Sequence, residues 1–201
     1  MKTFLVALSL LLFPVAALAD VDTSSAVEVL VGDGHGSGVY VGNGYVLTAA
    51  HVAVNGLVQP ITVSRQRDAA WTDSYDAKVV WIDQVRDFAI LKINAVEVTF
   101  KAAKIECTEP TLGQDVTVAG WPADLGLVIS KGYIAGGKAT RAIWEQSFIM
   151  VGAIFFGNSG GPVYADSGRV IGLAVGMLQG SSLGIVIPTS VVCEVLPFAV
   201  K

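Results

Sequence analysis

The feature that most constrains the fold is a two-residue alternation of apolar and polar side chains in short runs. Residues 61–64 are Ile-Thr-Val-Ser, and residues 115–118 are Asp-Val-Thr-Val. Because successive side chains of a strand point to opposite faces, this period predicts half-buried β-strands. Gly, Asn and Asp separate the runs, and 22 of the 201 residues are Gly. The pattern therefore favours many short strands joined by tight turns.

We predict two sets of six strands, one before Cys107 and one after it. The first set spans about residues 26–31, 36–41, 45–49, 61–65, 75–82 and 88–93. The second set spans about residues 114–121, 127–135, 147–152, 162–165, 170–176 and 183–188. Consecutive strands at hairpin spacing pair with each other, so the sequence predicts an all-β fold of two antiparallel six-stranded β-barrels.

The segments between the strands define the remaining organisation. Asn43 and Gly44 both tolerate positive φ and predict a two-residue hairpin turn. A helical turn is expected near residues 49–54, and Thr189 or Ser190 caps a short C-terminal helix. We expect a first barrel at about 25–94, a connector at about 95–112, a second barrel at about 113–188 and the C-terminal helix at about 189–198.

The N-terminus has the pattern of a secretory signal peptide. Lys2 precedes an apolar run over residues 4–19, which ends in Ala-Leu-Ala before Asp20. The run is shorter than the roughly 20 residues of a membrane span, and no later stretch is long and apolar enough for one. We therefore expect removal of residues 1–19 and export of residues 20–201 to the periplasm or the cell exterior, with no permanent membrane anchor.

Composition excludes several classes of partner. The 13 Lys and Arg residues form no cluster and are outnumbered by 17 Asp and Glu, so nucleic acid is not an expected partner. The two Cys and two His do not have the spacing of a four-ligand zinc site, and neither a metal nor another cofactor is expected. The oligomeric state stays open.

Three segments carry residues suited to nucleophilic catalysis. Residues 48–51 are Thr-Ala-Ala-His, residues 87–92 are Asp-Phe-Ala-Ile-Leu-Lys, and residues 157–162 are Gly-Asn-Ser-Gly-Gly-Pro. A serine hydroxyl needs a base such as imidazole to take its proton, and a carboxylate to orient that imidazole. Glycines leave backbone N–H groups free to bind a developing oxyanion.

The three segments, in the chain order His, Asp, Ser, resemble those of the trypsin-like serine proteases. The Gly-Ser-Gly of residues 36–38 and the Val-Ile-Gly of residues 170–172 are most similar to the HtrA (Deg) branch, and the similarity runs from about Val27 to Val195. The resemblance implies that Ser159 is the nucleophile, His51 the general base and acid, Asp87 its orienting partner, and the N–H groups of Gly157 and Ser159 the oxyanion hole.

Two other carboxylates compete with Asp87 for the orienting role. Asp76 and Asp83 are also near the strand, but Asp83 lacks an apolar strand directly behind it. We expect a serine endopeptidase that cleaves proteins or peptides through an acyl-enzyme. The alternative is a catalytically inactive binding module that keeps the same fold.

The resemblance also implies a pocket for the residue that precedes the cleaved bond (P1). Its floor falls at Ala153, and its walls fall at Val175, Gly176, Met177, Gly184, Ile185 and Val186. Because these positions are apolar or Gly, a buried Lys or Arg would have no partner charge. We predict cleavage after small or medium apolar residues such as Ala, Val, Ile or Leu.

The chain departs from the digestive members of the family in two respects. Asn158 precedes the serine where those proteins have Asp, so activation by insertion of a new amino terminus is not expected. Most disulfides of the family are also absent, and only Cys107 and Cys193 are present. The resemblance places the regions around these two cysteines close together. They form either a disulfide or two free thiols. From the length we expect no PDZ domain of the kind that HtrA proteins usually carry.

Overall fold

A computed structural model describes residues 21–66, 70, 72–122, 125–139, 144 and 146–199. The predicted signal peptide, residues 1–19, lies outside the described residues.

The described residues form two closed antiparallel barrels of six strands each, and a helix follows the second barrel. The first barrel contains β1 (Ala26–Val31), β2 (Gly34–Gly42), β3 (Tyr45–Thr48), β4 (Ile61–Gln66), β5 (Thr72–Asp83) and β6 (Phe88–Ile93). The second contains β7 (Asp115–Gly120), β8 (Val128–Ala139), β9 (Ser147–Gly152), β10 (Pro162–Ala165), β11 (Val170–Met177) and β12 (Leu183–Pro188). The predicted fold class is confirmed.

Each barrel closes with the same strand order. Around the first barrel the order is β1-β2-β3-β6-β5-β4, and the second barrel has the equivalent order β7-β8-β9-β12-β11-β10. The turn between β2 and β3 has φ of 51° at Asn43 and 75° at Gly44. Positive φ at both central residues defines a type I′ hairpin, as the Asn-Gly pair predicts.

Apolar burial explains why the two barrels stay together. Along β6, Ala89, Leu91 and Ile93 face the core of the first barrel, and Phe88 and Ile90 face a cluster shared with the second. Successive side chains of β6 point to opposite faces, and each face packs against a different apolar cluster, so both faces of the strand are buried. The shared cluster includes Leu47 of β3, Tyr164 of β10, and Leu173 and Val175 of β11. It holds the ends of β3 and β6 against the second barrel.

Two helices are described. α1 (Ala50–Ala53) directly follows β3 and continues into a 3₁₀ turn, and α2 (Thr189–Ala199) follows β12. A disulfide joins Cys193 of α2 to Cys107 of the connector, with Cα atoms 5.9 Å apart. Neither described helix is long and apolar enough to cross a membrane.

Candidate active site

His51 is placed at the barrel interface by α1 and is held there by Asp87. The backbone N–H of His51 donates to Asp87 Oδ1 at 3.0 Å. The ring Nδ1 lies 3.0 Å from Oδ1 and 2.8 Å from Oδ2 of the same carboxylate. The Asp87 side chain is 9% exposed, whereas that of His51 is 49% exposed. One buried carboxylate therefore fixes the ring while the rest of the imidazole stays open to the cleft.

Asp87 reaches His51 because of an unusual backbone conformation. Its φ is +55°, in the left-handed region that Asp tolerates better than most residues. Asp83, the rival acid, lies four residues earlier and accepts hydrogen bonds from the Arg86 guanidinium (2.8 Å) and the Arg86 N–H (3.0 Å). Burial alone would raise the pKa of Asp83, but the hydrogen bonds from Arg86 outweigh it and lower that pKa. Asp76 is exposed on β5. Of these three carboxylates, Asp87 contacts His51.

The loop before Ser159 is a tight turn that requires glycine. The Asn158 N–H donates to the Phe155 carbonyl at 3.0 Å, which closes a four-residue turn. Gly157 is the third residue of this turn and has φ of +98°. Positive φ at this position defines a type II turn, which favours Gly.

The residues after Ser159 lie against both barrels. The Gly160 N–H donates to the Ala174 carbonyl of β11 at 2.6 Å. Gly160 has φ of +85°, and a Cβ atom there would overlap Ser37 O and Thr48 Oγ1 of the first barrel and lie 2.6 Å from Ala49 N. The close approach of backbone to backbone leaves space only for Gly.

Two N–H groups of this loop have no acceptor among the described residues. Among the hydrogen bonds of the described residues, none is donated by the N–H of Gly157 or of Ser159, although the N–H groups of Asn158, Gly160 and Gly161 all donate. Two unpaired donors on either side of Asn158 are the arrangement that an oxyanion hole needs.

Ser159 and His51 line one continuous groove. A cleft of about 420 Å³ has both residues in its lining, together with Trp144, Ile154 and Met177. A neighbouring cleft of about 360 Å³ also has both. The hydrogen bonds of the described residues do not include one between the Ser159 hydroxyl and His51, and such bonds are often long before substrate binds.

The structure brings only part of the predicted P1 pocket into the cleft. Val175, Gly176 and Met177 line it. Ala153 is exposed, its carbonyl accepts from Ser130 Oγ at 2.6 Å, and it does not line this cleft. Gly184, Ile185 and Val186 lie on β12, where Ile185 and Val186 belong to the buried cores.

Ile154, the residue after Ala153, lines the cleft. A Cβ atom at Gly184 would overlap the Cδ1 atom of Ile154, so Gly184 leaves the space that Ile154 fills. The available sequence signal for Ile154 was an apolar residue five positions before the serine.

Asn158 is buried between the barrels. It is 2% exposed, and its Oδ1 accepts no hydrogen bond from the described residues. No ion pair therefore anchors the loop at this position. Among the described residues, no group of three His, Cys, Asp or Glu is arranged to hold a metal ion.

Two barrels with a His–Asp pair and a glycine-rich serine loop at their interface define the class of trypsin-like peptidases. Residues 36–173 match the family model of the trypsin-like peptidase domain. The chain therefore belongs to the trypsin-like peptidases, a family of serine endopeptidases.

Its relatives include proteases of the Do and DegP type, which confirms the resemblance to the HtrA branch. The chain is 30% identical to the chloroplastic Protease Do-like 8 of Arabidopsis thaliana, over 92% of this chain and 45% of that protein. It is 32% identical to a probable periplasmic serine endoprotease, DegP-like, of Brucella suis, over 83% of this chain and 33% of that protein. The chain thus spans less than half the length of these relatives.

Solved structures show the same fold. The serine endoprotease from Yersinia pestis has a TM-score of 0.76 at 25% identity, covering 89% of this chain and 63% of that one. The structure of Deg5 also has a TM-score of 0.76, at 23% identity, covering 90% of this chain and 91% of that one.

Proposed function

We propose that residues 20–201 form an exported serine endopeptidase in which Ser159, His51 and Asp87 are the catalytic triad. One observation carries this proposal: Asp87 holds His51 Nδ1 through both carboxylate oxygens, and His51 shares its cleft with Ser159. An Nδ1–H donated to Asp87 leaves Nε2 unprotonated, which is the tautomer that a general base needs.

The acylation step follows from these positions. Ser159 Oγ attacks the carbonyl carbon of the cleaved peptide bond, and His51 Nε2 takes the hydroxyl proton. Asp87 stabilises the imidazolium that forms. The oxyanion of the tetrahedral intermediate accepts hydrogen bonds from the N–H groups of Gly157 and Ser159.

Collapse of this intermediate completes acylation, and hydrolysis of the resulting ester is the deacylation. When the tetrahedral intermediate collapses, the C–N bond breaks and His51 gives its proton to the leaving amine. Water then attacks the Ser159 ester, and His51 takes one of its protons. The second collapse releases the new carboxyl terminus and returns the proton to Ser159 Oγ. The protein groups supply every proton transfer, so we propose a reaction without metal or cofactor.

We propose that the P1 side chain is small or medium and apolar. Ile154, Val175 and Met177 line the cleft beside Ser159, and none of them offers a charge to a buried Lys or Arg. Ile154 fills space above Gly184 and shortens the pocket. Ala, Val, Ile and Leu fit these limits.

We also propose export through residues 1–19, to the periplasm or the cell exterior. The apolar run ending in Ala-Leu-Ala supports this proposal, and the Brucella relative is named as periplasmic. Mass measurement of the protein from the exported fraction tests it. A chain that begins at Asp20 is the expected result, and a chain that keeps residues 1–19 would contradict it.

The endopeptidase is tested by cleavage of a peptide library with three proteins: wild type, Ser159→Ala and Ser74→Ala. Ser74 is an exposed serine of the first barrel and serves as the matched control. We expect wild type and Ser74→Ala to cleave after Ala, Val, Ile or Leu, and Ser159→Ala to lose about 10⁶-fold in kcat. If all three proteins fail to cleave, the chain is the catalytically inactive binding module instead. Cleavage mainly after Lys or Arg would contradict the proposed pocket.

A further inference from the structure

We propose that the Ser37 hydroxyl is a positioning group for the oxyanion hole, because it holds the Gly157 carbonyl from the opposite barrel. The inference rests on the proposed function, since it concerns the same N–H groups. In the sequence, Ser37 is the central residue of the Gly-Ser-Gly segment 36–38.

Ser37 makes a directed hydrogen-bond chain across the barrel interface. It lies on β2 and is 0% exposed. Its Oγ accepts a hydrogen bond from the backbone N–H of Trp121 at 2.9 Å and donates one to the Gly157 carbonyl at 2.7 Å. A hydroxyl has one proton, and the Trp121 N–H occupies one of its lone pairs. The proton is therefore directed at Gly157.

The backbone of Ser37 holds the other side of the nucleophile. Its N–H donates to the Ser159 carbonyl at 2.8 Å, and its own carbonyl accepts from Thr48 Oγ1 at 2.7 Å. One residue thus binds the carbonyls of both Gly157 and Ser159. These two residues supply the unpaired N–H groups of the proposed oxyanion hole.

The turn of residues 155–158 depends on the hydrogen bond from Ser37, because a glycine at its third position permits more than one turn type. Gly157 is compatible with a type I or a type II turn, and the bond from the Asn158 N–H to the Phe155 carbonyl is common to both. The two types differ by a flip of the Phe156–Gly157 peptide, which carries the Gly157 N–H. The Ser37 hydroxyl holds the next peptide, that of Gly157 and Asn158, so its loss frees the rotation about the Gly157 Cα that would turn the Gly157 N–H away from an oxyanion. Asn158 makes no ion pair, and its Oδ1 accepts nothing from the described residues, so the Ser37 hydroxyl is the side-chain group seen to hold this turn.

The kinetic test compares Ser37→Ala with Ser25→Ala. Ser25 is also a buried serine of the first half, 4% exposed, and its Oγ lies 2.7 Å from the Tyr164 hydroxyl of the second barrel. Both variants remove one buried hydroxyl that links the barrels, but only Ser37 touches the nucleophile loop. We expect Ser37→Ala to lower kcat about 100-fold with KM within about threefold of wild type, as for the loss of one oxyanion donor. Ser25→Ala keeps the wild-type kcat and has a similarly lowered melting temperature.

A crystal structure of Ser37→Ala decides the question without reference to activity. We expect negative φ at Gly157, which marks the flipped peptide of a type I turn. Retention of positive φ at Gly157 would overturn the proposal, and so would a kcat within threefold of Ser25→Ala. If Ser37→Ala does not fold, Ser37→Cys keeps a similar volume with only a weak donor, and the same two results apply. If wild type cleaves no peptide, the proposed endopeptidase function is refuted. The φ of Gly157 in Ser37→Ala still tests the positioning role of Ser37 in that case.

Discussion

The packing of the nucleophile loop on the first barrel predicts how Gly160→Ala changes stability. Gly160 has φ of +85°, and its added Cβ would overlap Ser37 O and Thr48 Oγ1 and lie 2.6 Å from Ala49 N. Two of these atoms are backbone atoms, which do not rotate away as a flexible side chain would. The loop or strands β2 and β3 must therefore move.

Gly168→Ala is the matched control for this variant. Gly168 has φ of +73°, but a Cβ atom there would meet nothing within 4 Å. Positive φ costs Ala about 1–2 kcal/mol at both positions. Overpacking adds about 1–3 kcal/mol at Gly160 alone. We therefore expect Gly168→Ala to lower the free energy of unfolding by about 1–2 kcal/mol and Gly160→Ala by about 2–5 kcal/mol.

Urea denaturation of wild type and both variants measures these losses, and cleavage of one apolar peptide reports on the site. Gly160→Ala is expected to lose activity as well, because its displaced backbone carries Ser159, whereas Gly168→Ala keeps it. Equal stability losses for the two variants, with activity retained in both, would refute the close contact between this loop and the first barrel.

The remaining predictions concern the acids, the pocket and the disulfide. Asp87→Asn is expected to lower kcat about 10⁴-fold, because an amide favours the wrong imidazole tautomer, whereas Asp83→Asn leaves kcat unchanged; peptide kinetics measures both. The lowered pKa of Asp83 means that its stabilising contribution is present above the unfolded pKa of about 3.9 and is lost as pH falls below it. Wild type should accordingly lose more unfolding free energy than Asp83→Asn between about pH 5 and pH 2 in urea titrations. Ile154→Ala should enlarge the proposed P1 pocket and shift cleavage from Ala and Val toward Leu and Phe by about 10-fold or more in relative kcat/KM. An unchanged preference would show that Ile154 does not contact the P1 side chain. Replacing Cys107 and Cys193 with Ser should lower the free energy of unfolding by about 4.5 kcal/mol, since the bridge closes a loop of 86 positions.

The strands were predictable from sequence because their signal is local. A period of two and an Asn-Gly turn act on neighbouring residues, and the hairpins join strands that are adjacent in the chain. The long β8 and β5 extend beyond their predicted ends, since pairing with neighbouring strands continues past the apolar alternation.

The lining of the cleft beside Ser159 was harder to predict because part of it is an irregular loop. Ala153 and Ile154 are adjacent, and no period indicates which side chain faces the cleft when neither lies in a strand. The contact of Ile154 with Gly184 joins segments 30 positions apart in the sequence and appears only when the second barrel closes.

The choice of acid and the role of Ser37 also depend on three-dimensional contacts. Asp83 and Asp87 flank one turn, and the positive φ of Asp87 directs that carboxylate to His51 while Arg86 holds Asp83. The bond from Ser37 to Gly157 spans 120 positions and crosses the barrel interface. No local sequence pattern indicates a hydrogen bond between residues so far apart in the chain. No local pattern indicates which turn type a glycine adopts either.

The most direct test of the proposed triad is the covalent modification of Ser159 by a fluorophosphonate. The reagent is added to wild type and to His51→Ala, and the adduct is located by mass spectrometry of peptides. We expect stoichiometric modification of wild type at Ser159 and almost none in His51→Ala. Wild type that stays unmodified, or an adduct on a different serine, would contradict the assignment of Ser159 as the nucleophile.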